Sequence, residues 1–236
     1  MKPRTLIFCA LISGRVFAEP VALAPDVIVQ NFCNAMRSQE RTLAGATMDV
    51  DIKASLPKLK KQGRLHALRH ISTLGRITYD MLRFEGDGTV KNNVIARYLT
   101  AEAQSQYPGE MPSLAVTPEN YKFKYKGSGD INGHSVHIFQ VTPRSKRVGL
   151  FRGEIRIDAA TYLRVQESGY FVKSPSVFLK RVAFVRTYEI RDGISVPRQI
   201  QSTVDTRLVG KAELNIEYSN FSFDGQRRAA ADADGQ

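Results

Sequence analysis

Between Leu150 and Phe223 the chain reads as one antiparallel strand after another: GEIRID, TYLRVQES, LKRVAFVRTYEI, SVPRQIQSTVDTRLV and KAELNIEYSN, parted by short turns. In the last of these Ala212, Leu214, Ile216 and Tyr218 alternate with Lys211, Glu213, Asn215 and Glu217. A period of two puts all the apolar side chains on one face and all the polar ones on the other. Ile155 and Ile157 face away from Glu154, Arg156 and Asp158 in the same way. A sheet of this kind has one wet face and one greasy face that something must cover. Val182, Phe184, Tyr188 and Ile190 share a face into which Arg186 intrudes. Either a bulge turns Arg186 outward, or it stays inside and its guanidinium needs a partner, a headgroup or a lid.

The first half of the chain supplies more strands and two helical patterns. Ile28, Val29, Phe32, Cys33 and Met36 recur at helical spacing, and Asp26 is placed to cap a helix over 26–43. Strands follow at ATMDVDIKASL, RLHALRHISTL and RITYDMLRFEGDG, the last with a change of phase that predicts a bulge at Met81-Leu82. Val94, Ile95, Tyr98 and Leu99 predict a second helix over 92–106, capped by Asn92 or Asn93. Pro108, Pro112 and Pro118 mark an irregular segment that could serve as a flap. YKFKYKG and HSVHIFQVTPR flank Asn132-Gly133, a hairpin signal. The count is roughly nine to eleven strands with two helical insertions. The expected class is mainly β with α insertions, a large antiparallel half-barrel, unclosed and covered by two or more helices.

Lys2 and Arg4, the apolar run Thr5 to Ser13 and Val16-Phe17-Ala18 have the form of a secretory signal peptide cleaved after Ala18. The expected organisation is a signal peptide at 1–18, one domain at 19–223 and a disordered tail at 224–236. Phe8 before Cys9 does not suit lipid attachment, so cleavage leaves Cys33 as a lone thiol buried on a helix. The formal charge of the 236 residues is +11, and losing Lys2, Arg4 and Arg15 leaves 31 basic and 23 acidic residues. A basic exported chain suits an anionic membrane surface or an envelope protein, while export argues against nucleic acid.

Catalytic signatures are absent: there is no Gly-x-Ser-x-Gly, no His-Glu-x-x-His and no Gly-rich phosphate loop. His66 and His70 lie about 13 Å apart along a strand, and His134 and His137 face opposite sides, so no metal site is expected. Glu154, Asp158 and Glu167 are read as wet-face acids that pair with Arg156, Arg164 and Lys173.

The strand Gly153 to Asp158, the VQESG strand after it and the Asp192-Gly193 to Val196-Pro197 hairpin resemble the LolA-like family of envelope proteins, which includes lipoprotein carriers and outer-membrane lipoprotein-sorting proteins. The likeness runs loosely over residues 45–223. It departs from dedicated lipoprotein carriers at DMLRFEGDG, where only Arg83 and Phe84 correspond, and in having no tryptophan. The resemblance implies a half-barrel whose apolar concave face carries acyl chains beneath helices. The expected lining residues are Ile28, Phe32, Met36, Tyr79, Phe84, Tyr98, Ile155, Ile157, Val182, Phe184, Arg186, Tyr188, Leu214, Ile216 and Tyr218. The expected function is a monomeric periplasmic carrier, without cofactor or catalysis, for lipid, acyl chain or lipoprotein. The alternatives are an envelope sensor or interaction module that regulates a membrane partner and, third, a secreted hydrolase, which needs a polar pocket.

Overall fold

The computed structural model describes residues 23–105, 111–131, 133–174, 179–207 and 210–223. The expected signal peptide and the expected disordered tail lie outside these residues, as does 106–110 of the proline segment. Ten strands form one antiparallel sheet: β1 (Ala46–Leu56), β2 (Lys61–Ile71), β3 (Ile77–Gly86), β4 (Tyr121–Ile131), β5 (His134–Pro143), β6 (Phe151–Asp158), β7 (Arg164–Phe171), β8 (Leu179–Arg191), β9 (Ile194–Thr206) and β10 (Lys211–Phe223). Their order is β3-β2-β1-β10-β9-β8-β7-β6-β5-β4. The first strand pairs with the last, and the sheet stays open with β3 and β4 as its edges. Lys122, Lys124 and Lys126 stand exposed on β4, where charge discourages a further strand from adding.

Strand ends follow local chemistry. Asp192 and Gly193 both have positive φ, at 50° and 73°, which is what a two-residue hairpin between twisted strands requires. The predicted bulge is present: Ala67 lies between the pairs His66↔Arg83 and Leu68↔Asp80, opposite Met81 and Leu82, and Met81 has φ 53°. A second irregularity in β7 has more consequence. Arg156 pairs with Gln166 but Ile157 pairs with Arg164, so Val165 is the extra residue.

The helices correct the expected caps. Helix α1 spans Pro25–Thr42 and is capped by Ala24, not Asp26. Pro25 occupies the first turn, where its missing N–H is no loss, and Asp26 follows it beside the positive end of the helix dipole. The second helical run starts at 88, not 92, because the Asp87 carboxylate accepts from the Thr89 N–H at 2.7 Å. It passes through α2 (Gly88–Val90), a π-helical turn over Lys91–Ile95 and α3 (Ala96–Ser105). The wider turn absorbs Asn92 and Asn93 inside the run that they were expected to begin. A short helix α4 (Met111–Leu114) stands within the expected irregular segment. Among the described residues no helix is long and apolar enough to cross a membrane.

Strand order decides where the helices go. The chain leaves the sheet at β3 and re-enters at β4, the opposite edge, so the segment between them has to cross one face. On that inner face α1 seals one half: Ile28, Val29, Phe32 and Cys33 pack on Tyr121, Phe139, Val141, Phe151, Ile155, Ile157 and Phe184. The second run seals the other: Val90 and Ile95, with Val94, Tyr98 and Leu99, pack on Met48, Val50, Ile52, Leu65, Leu214 and Ile216. Cys33 is buried in the first half, and burial raises its thiol pKa. Gln39 fixes the end of α1 to β9, donating to the Ser195 carbonyl at 2.8 Å and accepting the Ser195 N–H at 2.9 Å.

Candidate functional site

The two sealed halves leave a seam between them. Strand β9 lies at the middle of the sheet, yet its inward residues Ile200, Ser202 and Val204 are only half-buried. On either side they pair with Arg186, Phe184 and Val182 of β8 and with Ile216, Leu214 and Ala212 of β10. A central strand of a ten-stranded sheet is where apolar side chains are normally best covered. Here the cover is partial: Ile200 and Val204 pack against the edge of the half under the second helical run and still remain half-buried.

The expected lining residues fall into three groups. Ile28, Phe32, Met36, Ile155, Ile157 and Phe184 belong to the half under α1. Tyr79, Phe84, Tyr98, Leu214, Ile216 and Tyr218 belong to the half under the second helical run. Val182, Arg186 and Tyr188 stand on β8 beside the seam. Arg186 keeps its inward position, because neither bulge in this hairpin, at Leu179/Arg181 or at Thr187/Tyr188, falls between it and the inward Val182 and Phe184.

Arg186 belongs to a buried ionic cluster on the β7–β8 side. Glu167, only 1% exposed, accepts from Arg164 at 3.0 Å, from the Tyr188 hydroxyl at 3.0 Å and from Arg186 at 3.5 Å. This corrects the expectation that Glu167 lies on the wet face. Its cross-strand partners are Ile155 and Arg186, both inward, so it must be inward too. The bulge at Val165 puts Arg164 opposite inward-facing Ile157, which lets Arg164 and Glu167 meet on one side although they are three apart. Burial pushes the Glu167 pKa up, but the guanidiniums of Arg164 and Arg186 and the hydrogen bonds from Arg164 and Tyr188 outweigh it and hold the pKa below the usual value. Burial pushes Tyr188 up to about 12.

A second cluster faces it across the seam. Arg69, 8% exposed, donates to Glu102 of α3 at 3.1 Å, and the Tyr79 hydroxyl donates to the other oxygen of the same carboxylate. The Tyr98 and Tyr218 hydroxyls meet at 3.3 Å. Burial raises both phenols, so each remains a donor at neutral pH. Tyr218 senses both Arg69 and Arg186, which places the two clusters within electrostatic range of one another. Arg69, Arg164 and Glu102 were absent from the expected lining, although the signal for two of them was there. Arg69 continues the alternation Leu65, Ala67, and Glu102 continues the helical stripe Tyr98, Leu99.

The Arg69–Glu102 contact ties α3 to the sheet, which yields a prediction. Glu102→Gln should cost about 2 kcal/mol, the worth of hydrogen bonds to a charged group. The loss should be local, seen as faster amide exchange over residues 96–105 with the amides of β5 and β6 unchanged. Uniform acceleration across the sheet would show that α3 has no independent opening.

The other acids also depart from a plain wet face. Asp158 is buried, accepting from the Thr161 N–H and hydroxyl, each at 2.7 Å, with His134 at 3.2 Å; only Glu154, paired with Arg156 at 3.0 Å, is where it was expected. Burial pushes Asp158 up, but the Thr161 and His134 hydrogen bonds leave it below its usual pKa.

The outer, helix-free face holds a groove of about 790 Å³ that runs across six strands from Glu85 to Val185. Two rows of mostly polar side chains wall it, Arg64, Lys53, Asn215 and Gln201 in one, Gln62, Ser55, Glu213 and Thr203 in the other. Of the expected lining residues it touches only Phe184 and Leu214.

No protein-family model matches the chain, and none of the curated proteins does. Among solved structures it is similar to a DUF1329 family protein from Desulfovibrio piger, at 14% identity and TM-score 0.41 over 84% of this chain and 93% of that one. It is similar to a putative outer membrane lipoprotein-sorting protein domain from Vibrio parahaemolyticus at 11% identity and TM-score 0.40, over 82% and 91% of the two chains. A LolA superfamily protein from Nitrosomonas europaea matches at 10% identity and TM-score 0.36, over 86% and 94%. The fold itself, ten antiparallel strands in one open sheet with helices on a single face, is that of an unclosed half-barrel.

Proposed function

We propose that this chain is a non-catalytic protein of the cell envelope that holds the acyl chain of a lipid or lipidated partner on the inner face of its sheet. The supporting observation is the half-buried row Ile200, Ser202, Val204 at the centre of the sheet, between two halves that are otherwise closed. Covering apolar surface there gains roughly 25 cal/mol per Å², the same driving force that seals the two halves. From Ile200 to Val204 the row is about 13 Å long, enough to lay down a stretch of hydrocarbon. The basic charge of the chain suits it to meet an anionic membrane surface. Native mass spectrometry of the purified chain should show co-purifying lipid, and delipidated protein should take up a fluorescent fatty acid. A chain that arrives empty and takes up neither fatty acid nor lipopeptide would rule the reading out.

The outer groove favours a second reading, an interaction module for an envelope protein, because its walls are polar and its length spans six strands. Substituting Arg64 and Glu213 together should then abolish capture of a protein from envelope extract while leaving lipid uptake intact. Capture that persists in the double variant counts against it.

A further inference from the structure

We propose that the seam recognises an anionic head, a carboxylate or a phosphate, on the amphiphile it holds, with Arg186 and Arg164 as the recognising pair. This rests on the acyl-binding reading and names the chemistry of its ligand. The two clusters beside the seam bring three guanidiniums, Arg69, Arg164 and Arg186, against two carboxylates, Glu102 and Glu167. Among the described residues of the two clusters one positive charge is left over, in a partly buried place.

The donors are in excess as well. A guanidinium has five N–H groups, and the Nε of each of these three arginines is buried without a hydrogen-bond partner among the described residues. Arg69 is committed to Glu102, but Arg186 reaches Glu167 only at 3.5 Å. Exposure sorts the cluster by depth. The Glu167 side chain is 2% exposed, whereas those of Arg164 and Arg186 are 28% and 33% exposed. A ligand entering the seam therefore meets the arginines, with the acid behind them. Both guanidiniums lie over aromatic rings, Arg164 over Tyr188 and Arg186 over Phe184, each with its Cζ 4.5 Å from the ring centroid, contacts that restrict the fork that carboxylates and phosphates fit.

Position links the head to the chain. Arg186 pairs directly with Ile200, and Val182 pairs with Val204 at the far end of the same row. An acyl chain laid along Ile200 to Val204 would thus bring its head to Arg186. The Tyr98 and Tyr218 hydroxyls, weakly joined at 3.3 Å, are further donors on the opposite wall.

The test uses the purified full chain, a neutral fluorescent acyl probe, and displacement by dodecanoate, dodecyl phosphate, dodecanol and inorganic phosphate. The two anionic amphiphiles should displace the probe at concentrations about tenfold lower than dodecanol, the scale of one charge-assisted hydrogen-bonded contact. Arg186→Gln should abolish that preference and leave dodecanol unchanged, and Arg186→Lys should restore part of it. Equal displacement by dodecanol and dodecanoate overturns the anionic head and leaves the acyl reading standing; it needs no variant, so a folding defect cannot mask it. Failure of every amphiphile, dodecanol included, overturns both. Inorganic phosphate that binds as tightly as dodecyl phosphate would assign the arginines to a free anion and also overturn the proposal. An Arg186→Gln protein that melts like wild type and keeps the tenfold preference removes Arg186 from it.

Discussion

Glu167→Ala is expected to destabilise the chain by about 3–5 kcal/mol, the usual cost of removing one partner from a buried ionic cluster. Glu167 is 1% exposed, and its carboxylate sits between Arg164, Arg186 and the Tyr188 hydroxyl. Alanine leaves two guanidiniums facing one another with no counter-charge, and a phenol without its acceptor. Urea unfolding should show a lower midpoint with little change in slope. A loss below about 1 kcal/mol would mean that water already neutralises this cluster. Because a buried ionic group often does no better than apolar residues of similar volume, Glu167→Leu combined with Arg164→Met and Arg186→Met should recover much of the loss. The recovered protein should also lose any preference for anionic ligands, which separates what the cluster does for stability from what it does for binding.

The same carboxylate sets a pH dependence. Its folded pKa is depressed, chiefly by the two arginines acting against burial. Its contribution is therefore complete above the unfolded value of about 4.3 and is lost as pH falls through the lower folded value. The stability gap between wild type and Glu167→Gln should be constant from neutral pH down to about 5 and then shrink with further acid. A gap that widens in acid would contradict the depressed pKa.

Glu167 also shows where reading the residues stops. Period two identified the strands from β1 to β10, the bulge at Met81-Leu82 and the inward residues of β10, because alternation is a local property of the chain. The helical stripes on α1 and α3 were legible for the same reason. Charge alone puts Glu167 on the wet face, whereas its register opposite Ile155 puts it inside, and the bulge at Val165 that brings Arg164 to it leaves no mark in composition. Arg69 and Glu102 could have been found, since each continues an apolar stripe, but neither attracts notice until the other is known to face it. The seam itself could not have been. It depends on β1 pairing with β10 and on the chain crossing from one edge of the sheet to the other, so that each helix covers a different half. The outer groove depends on how six strands curve together, which no single strand records.

The second large effect is expected at Gly153, which faces Gly169 across β6 and β7. Here the two backbones approach so closely that neither residue can carry a side chain. A Cβ on Gly153 would lie 1.8 Å from the Ser168 carbonyl oxygen and 2.7 Å from the Gly169 Cα. On Gly169, whose φ is +153°, it would lie 2.2 Å from the Arg152 carbonyl oxygen. The obstacles are backbone atoms that cannot rotate away, so Gly153→Ala must part the strands. Overpacking of this kind costs about 3 kcal/mol when backbone has to move. The effect should reach the ionic cluster, because Gly153↔Gly169 lies two residues along the same ladder from Ile155↔Glu167. On the other side of β7 the neighbouring pairs are Gly169↔Phe184 and Glu167↔Arg186, so a displaced β7 draws the carboxylate away from Arg186. Gly153→Ala and Glu167→Ala should therefore be less than additive, with a coupling above about 0.5 kcal/mol in a double-mutant cycle. Strict additivity would mean that the strands part only at the glycines and close again before Glu167. In that case the register of β7 is held by the cluster itself and not by the close approach beside it.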